Sequence, residues 1–231
     1  MPLPLLSSFD AVMLDLDGTL VDTLGDFSAA LNGMLADMGL AASLLGSAEV
    51  EPMVGKGSEH LIRCALAHVL GPQADLDARY PAAWQAYQAH YLRINGQHSA
   101  LYPGVAEGIA CLRERGLPLA CLTNKPLAFA QDLLAAKGLA GHFSQVFGGD
   151  SFERKKPDPL PLLKTCEALG VVPQETLMVG DSSNDAQAGH AAGCGVVLVT
   201  YGYNHGQPIR QTQALAWVGA LTEIPQALAA H

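Results

Sequence analysis

A short apolar run at positions 11–16 (AVMLDL) gives way to Asp17-Gly18-Thr19, which predicts a buried strand closed by a turn. The period then changes. Apolar residues at 24, 27, 31, 34, 35 and 38 recur at helical spacing, as do Leu61, Ile62, Ala65, Leu66 and Val69, and then Tyr80, Trp84, Tyr87 and Tyr91. No strand pattern interrupts positions 24–98, so this stretch predicts an all-helical block. From Tyr102 onward helices and strands alternate, with helices expected over 105–115, 126–137, 159–169 and 184–192 and strands over 117–122, 145–147, 176–179 and 196–200. Gly116, Gly138, Gly170 and Gly193 stop the four helices, and Pro126 and Pro159 open two of them. Such alternation predicts an α/β fold, a doubly wound parallel (Rossmann-like) sheet covered by helices on both faces. The helical block is inserted after the first strand, giving a core of 1–22 plus 99–231 and an insertion of 23–98.

Composition narrows the function classes. Apolar residues form 49% of the 231 positions and charged residues 15%, enough for a sizeable core and too apolar for a disordered chain. No apolar run reaches the roughly 18–20 residues of a membrane helix. Met1-Pro2-Leu3-Pro4-Leu5-Leu6 has no basic region, and Asp10 follows soon after, so no secretory signal is expected. Twenty-two acidic against 13 basic residues, with no basic tract, argue against nucleic acid as a partner. The five cysteines are scattered and never form a C-x-x-C pair, as for core thiols in a reducing, cytoplasmic compartment. The eight histidines show no metal-binding spacing.

Ligands of doubly wound sheets collect at the carboxyl ends of the strands. Here those ends carry Asp15-Leu16-Asp17-Gly18-Thr19, Thr123-Asn124, Lys155-Lys156-Pro157 after a loop, and Gly180-Asp181-Ser182-Ser183-Asn184-Asp185. Singly, each reads as a turn, a cap or a solvated loop. Together they aim four carboxylates, a hydroxyl and a lysine pair at one edge. Converging carboxylates repel one another unless a cation or protons compensate. A set of hard oxygen ligands without His or Cys suits Mg²⁺ shared with a substrate phosphate.

The four stretches resemble the motifs of the haloacid dehalogenase-like phosphohydrolases, and the inserted helices match the helical cap of many members. The stretches 122–126 (LTNKP), 155–159 (KKPDP) and 200–206 (TYGYNHG) resemble, more narrowly, the bacterial phosphoglycolate phosphatase family. The resemblance implies Asp15 as a nucleophile on phosphorus and Asp17 as the acid/base that protonates the leaving alkoxide and then activates water. It implies Mg²⁺ on Asp15, on the Asp17 carbonyl and on Asp181, with Asp185 behind them. Spacing leaves open which of Asp181 and Asp185 touches the metal. Thr123 and Asn124, read at a helix N-terminus, would hold phosphate oxygens, and Lys156 would neutralise the transferring group.

The expected reaction is hydrolysis of a small phosphorylated metabolite, 2-phosphoglycolate, to glycolate and phosphate. A mutase, or a phosphatase for a sugar phosphate or pyrophosphate, shares the same motifs. A non-catalytic metal- or phosphate-binding module is the rival of another class. For the substrate's carboxylate the sequence offers Lys56, in the glycine-bounded loop Val54-Gly55-Lys56-Gly57-Ser58, and then Arg63. The oligomeric state is not legible.

Overall fold

The computed structural model describes residues 8–71 and 73–228. The start of the chain, on which the secretory-signal expectation rests, lies outside them. Strand β1 (Ala11–Leu14) is fully buried and stops one residue before Asp15. A two-residue strand β2 (Val21–Asp22) follows and leads into the helices α1 (Leu24–Asp37), α2 (Ser47–Val50), α3 (Ser58–Leu70) and α4 (Leu76–Ile94). The chain returns through β3 (Ala100–Leu101), which pairs antiparallel with β2, so the two crossings between sheet and helical block form one small ribbon. Then come α5 (Val105–Glu114), β4 (Leu119–Leu122), α6 (Leu127–Ala136), β5 (Gln145–Phe147), α7 (Leu160–Leu169), β6 (Thr176–Gly180), α8 (Ser183–Ala192), β7 (Gly195–Val199), β8 (Ala216–Val218) and α9 (Ile224–Ala227).

Six strands form one parallel sheet in the order β5-β4-β1-β6-β7-β8. Both faces are apolar because both are covered. One face packs Val12, Leu14, Cys121, Val179 and Val197 against α5 and α6, and the other packs Met13, Ala120, Leu122 and Met178 against α7 and α8. The chain leaves β1 toward β4 on one side and reaches β6 on the other, so the topological switch point lies at β1. Register does the rest. Leu14 lies opposite Cys121 and Val179, so Asp15, Thr123 and Asp181 emerge within about one residue of the same level.

The helical block has its own apolar cluster. Phe27, Leu31, Met34, Ile62, Leu66, Tyr87 and Tyr91 pack together, with Phe129 of α6 and Tyr203 joining them from the sheet side. Asp26, fully buried in α1, accepts from the backbone N–H groups of Gly96 (2.8 Å) and His98 (2.7 Å), tying the start of the block to its end. A buried carboxylate satisfied by two amides needs no further role.

The sequence expectations for the eight main core elements match within two residues at nearly every end. The sequence pattern predicts no counterpart of the β2–β3 ribbon, of β8 or of α9.

Candidate active site

At the carboxyl edge of β1, β4 and β6, four carboxylates and two lysines are buried together: Asp15, Asp17, Asp181, Asp185, Lys125 and Lys156. Lys156 arrives on the loop after β5, and its ammonium uses all three N–H donors, on Asp15 Oδ1 (2.9 Å), Asp185 Oδ1 (2.7 Å) and the Leu122 carbonyl (2.7 Å). Burial works against its charge, but Asp15 and Asp185 outweigh burial and hold Lys156 above its ordinary value. Lys155, beside it, is exposed and donates to the Lys56 carbonyl.

Asp185 is committed on both oxygens. Besides Lys156, it accepts from the Ser182 backbone N–H (3.1 Å) and hydroxyl (2.7 Å), the capping box that starts α8. Asp181 sits in a slot made by two glycines. A Cβ on Gly18, at φ +85°, or on Gly202 would run into its carboxylate. Tyr203 N–H donates to Asp181 Oδ2 (2.7 Å) and the Thr19 hydroxyl to Oδ1 (3.3 Å).

One carboxylate oxygen from each of Asp15, Asp181 and Asp185 lies within 4.8 Å of the others. The electrostatics show what this set requires. Burial, more than the neighbouring carboxylates, pushes Asp15 up to about 7 against the pull of Lys156, and burial followed by Asp185 and Asp15 pushes Asp181 well up. Formally, four carboxylates against two ammoniums leave two negative charges in excess, which one divalent cation balances. All-oxygen donors of this kind fit Mg²⁺.

Asp17 turns its side chain away from that trio. Its two oxygens take the ammonium of Lys125 at 2.8 and 3.1 Å. Lys125 in turn lies over the rings of Phe27 (4.5 Å) and Tyr91 (4.9 Å), so aromatic faces from the helical block help hold a cation that belongs to the sheet. Sequence reading passed Lys125 over. The available signal was its place directly after Thr123-Asn124 at a strand's carboxyl end, but the ring faces that hold it come from residues about 35 and 100 positions earlier.

Three expectations need correction. Thr123 and Asn124 do not stand in the first turn of a helix, because α6 begins only at Leu127 and the Asn124-Lys125-Pro126 segment intervenes. The Asn124 amide is spent on the carbonyls of Gly55 (3.0 Å) and Lys156 (2.8 Å), so it joins the 54–58 loop to the lysine loop. Lys56 is exposed and does not line the cleft; its neighbours Gly55, Gly57 and Ser58 do, facing Asp15, Asp17, Thr123 and Lys125. Arg63 points elsewhere, onto Glu59 (3.0 Å), Asp77 (2.7 Å) and the Tyr80 ring, because one turn into α3 carries it round the helix away from the cleft.

Known proteins share this architecture. The haloacid dehalogenase-like hydrolase family matches residues 9–193. A phosphoglycolate phosphatase of Thiobacillus denitrificans is 40% identical over 96% of this chain and 95% of its own length. One from Nitrosospira multiformis is 43% identical over the same shares. A crystal structure described as a predicted phosphoglycolate phosphatase from Haemophilus somnus superposes with a TM-score of 0.89 at 33% identity, covering 95% of this chain and 97% of the other. The likeness spans sheet and helical block alike, and the buried charge cluster sits where the fold directs its ligands. The chain belongs to the haloacid dehalogenase-like hydrolase family.

Proposed function

We propose that this enzyme is a Mg²⁺-dependent phosphomonoester hydrolase that converts 2-phosphoglycolate to glycolate and phosphate through an aspartyl-phosphate on Asp15. The observation that carries the reading is the burial of four carboxylates at the switch point with only two lysines among them. A cluster so unfavourable by itself is consistent with a site built for a cation and a phosphoryl group. The names of the relatives supply the substrate.

Asp15 spends Oδ1 on Lys156, which leaves Oδ2 to attack phosphorus as the bond to the substrate alkoxide breaks. Asp17 gives the alkoxide its proton, and takes one back from the water that then attacks the phosphorus of the aspartyl-phosphate. Lys125 holds Asp17 beside this path. Lys156 neutralises the phosphoryl oxygens and is itself fixed by Asp185 and the Leu122 carbonyl. Asp15, Asp181 and the Asp17 carbonyl would hold the metal, with Asp185 anchoring Lys156 behind them. When bound, Mg²⁺ supplies the positive charge that lets an anionic nucleophile approach an anionic phosphate.

The helical insertion, residues 23–98, serves as the cap. It brings Phe27, Gly55, Gly57 and Ser58 over the cleft, where a small substrate is enclosed and bulk water excluded. Lys125, and not Lys56, is the cation inside the cleft available to the substrate's carboxylate. The free, buried thiols of Cys121, Cys166 and Cys194 fit a cytoplasmic enzyme. The test is phosphate release from a panel of small phosphomonoesters, with Mg²⁺ or with EDTA. The reading expects 2-phosphoglycolate to lead the panel and EDTA to abolish turnover. Isomerised product without phosphate release would establish a mutase instead.

A further inference from the structure

The segment 201–206 (YGYNHG), which leaves β7, was given no step in the chemistry above, yet it touches Asp181, the loop of Gly18, the start of α8 and the crossing at Asp22–Thr23. Its backbone is held in an unfavourable shape: Asn204 (φ 38°) and His205 (φ 53°) are non-glycine residues in the left-handed region. Such conformations persist where surrounding contacts over-determine them. Here Asn204 accepts from Ser183 N–H (2.8 Å), its amide donates to the Gln207 carbonyl (2.7 Å), and His205 Nε2 pairs with the Asn184 amide (3.1 Å).

Tyr203 is the residue this scaffold presents. Its main-chain N–H donates to Asp181 Oδ2 at 2.7 Å. Its phenol, buried with the rest of the side chain, accepts from Thr23 N–H (2.8 Å) and donates to Asp22 Oδ1 (2.8 Å). Asp22 ends β2 and Thr23 directly precedes α1, so the phenol grips the chain at the point where it crosses from the sheet into the helical block. The ring also closes over Gly18, on the loop that carries Asp15 and Asp17.

We propose that Tyr203 is a positioning residue that couples the metal-facing carboxylate of Asp181 to the β2–β3 crossing, so that cation binding and the placement of the helical block are linked. One residue holds both, main chain on one and side chain on the other, so a shift at either end is felt at the other. Linkage makes the effect reciprocal: a cation that fixes Asp181 stiffens the crossing, and a loosened crossing weakens the cation. The proposal rests on the reading that Asp181 faces a divalent cation, and the experiment separates the two.

Mg²⁺ binding to the substrate-free protein is measured by calorimetry, and amide hydrogen exchange is followed at residues 20–24 and 100–102 with and without Mg²⁺. In the wild type, Mg²⁺ should slow exchange across the crossing severalfold. In Tyr203→Phe, Mg²⁺ should bind about fivefold or more weakly, the low end of typical coupling, and the Mg²⁺-dependent protection should vanish. Asp22→Ala removes the acceptor of the phenol from the exposed end of the same link, outside the cleft, and should weaken Mg²⁺ in the same direction. Mg²⁺ that binds the wild type without altering exchange at the crossing overturns the coupling alone. So does an affinity unchanged in both variants. A wild type that binds no Mg²⁺ overturns the metal reading and the coupling with it.

Discussion

Asp15→Asn should destroy the catalyst and strengthen the fold. Burial lifts the Asp15 carboxyl from an ordinary 3.8 to about 7, so keeping it ionised in the metal-free protein at pH 8 costs about 4 kcal/mol. Asparagine keeps the shape and the acceptor oxygen that Lys156 uses, but carries no charge to desolvate. The sign follows from linkage. A carboxyl whose folded value is raised binds its proton more tightly in the folded state, so wild-type stability falls as pH rises from about 4 to about 7 and is flat above. In EDTA at pH 8 the variant should therefore resist urea by about 2–4 kcal/mol more than the wild type. At pH 5, where the folded wild type already holds the proton, the gain should shrink to under about 2 kcal/mol. Added Mg²⁺ should close the gap by stabilising the wild type more than the variant. Urea melts of both proteins in EDTA at the two pH values, beside a phosphate-release assay, provide the check. A variant no more stable than the wild type in EDTA at pH 8 would refute the claim that Asp15 is held ionised against its surroundings.

Lys156→Met removes a buried ammonium from two carboxylates and a carbonyl, and should cost about 3–5 kcal/mol of stability with a hundredfold or greater loss of kcat, read by denaturation and steady-state kinetics. Asp17→Asn should slow esters with poor leaving groups far more than activated aryl phosphates, since only the former need the proton; equal losses on both would make Asp17 structural. Lys125→Met keeps a side chain for the Phe27 and Tyr91 faces but loses the cation, and should weaken 2-phosphoglycolate by about 1.5–3 kcal/mol more than an alkyl phosphate without a carboxylate. Comparing kcat/KM for the two substrates decides whether Lys125 or a residue elsewhere in the cleft reads that group. Ca²⁺ in place of Mg²⁺ should inhibit, because its looser coordination misplaces nucleophile and phosphate, which competition at fixed Mg²⁺ would show.

Local chemistry along the chain determined the parallel α/β core, the helical block at 24–98, and the identity of the strand-end residues. Apolar runs of four to six residues, helical periods and stop glycines are local properties, and a strand's carboxyl end is found by counting along it. That is how the stretches holding Asp15, Asp181 and Lys156 are found in the sequence, and the resemblance to a phosphohydrolase family is what singles out those residues within them. Tertiary structure decided what each of them faces. Asp185 became the anchor of Lys156 and of its own helix cap because α8 starts directly beneath the lysine loop. Asp17 left the carboxylate trio for Lys125, a cation whose aromatic bed comes from α1 and α4, far away in sequence. Lys56 stands in a loop of the expected kind, yet the path of the backbone turns its glycine neighbours inward and its ammonium out. Tyr203, about 180 residues from the crossing it grips, carries no local sign of that contact. Which side chains share a buried space depends on how separate elements pack, and no window of sequence contains that packing.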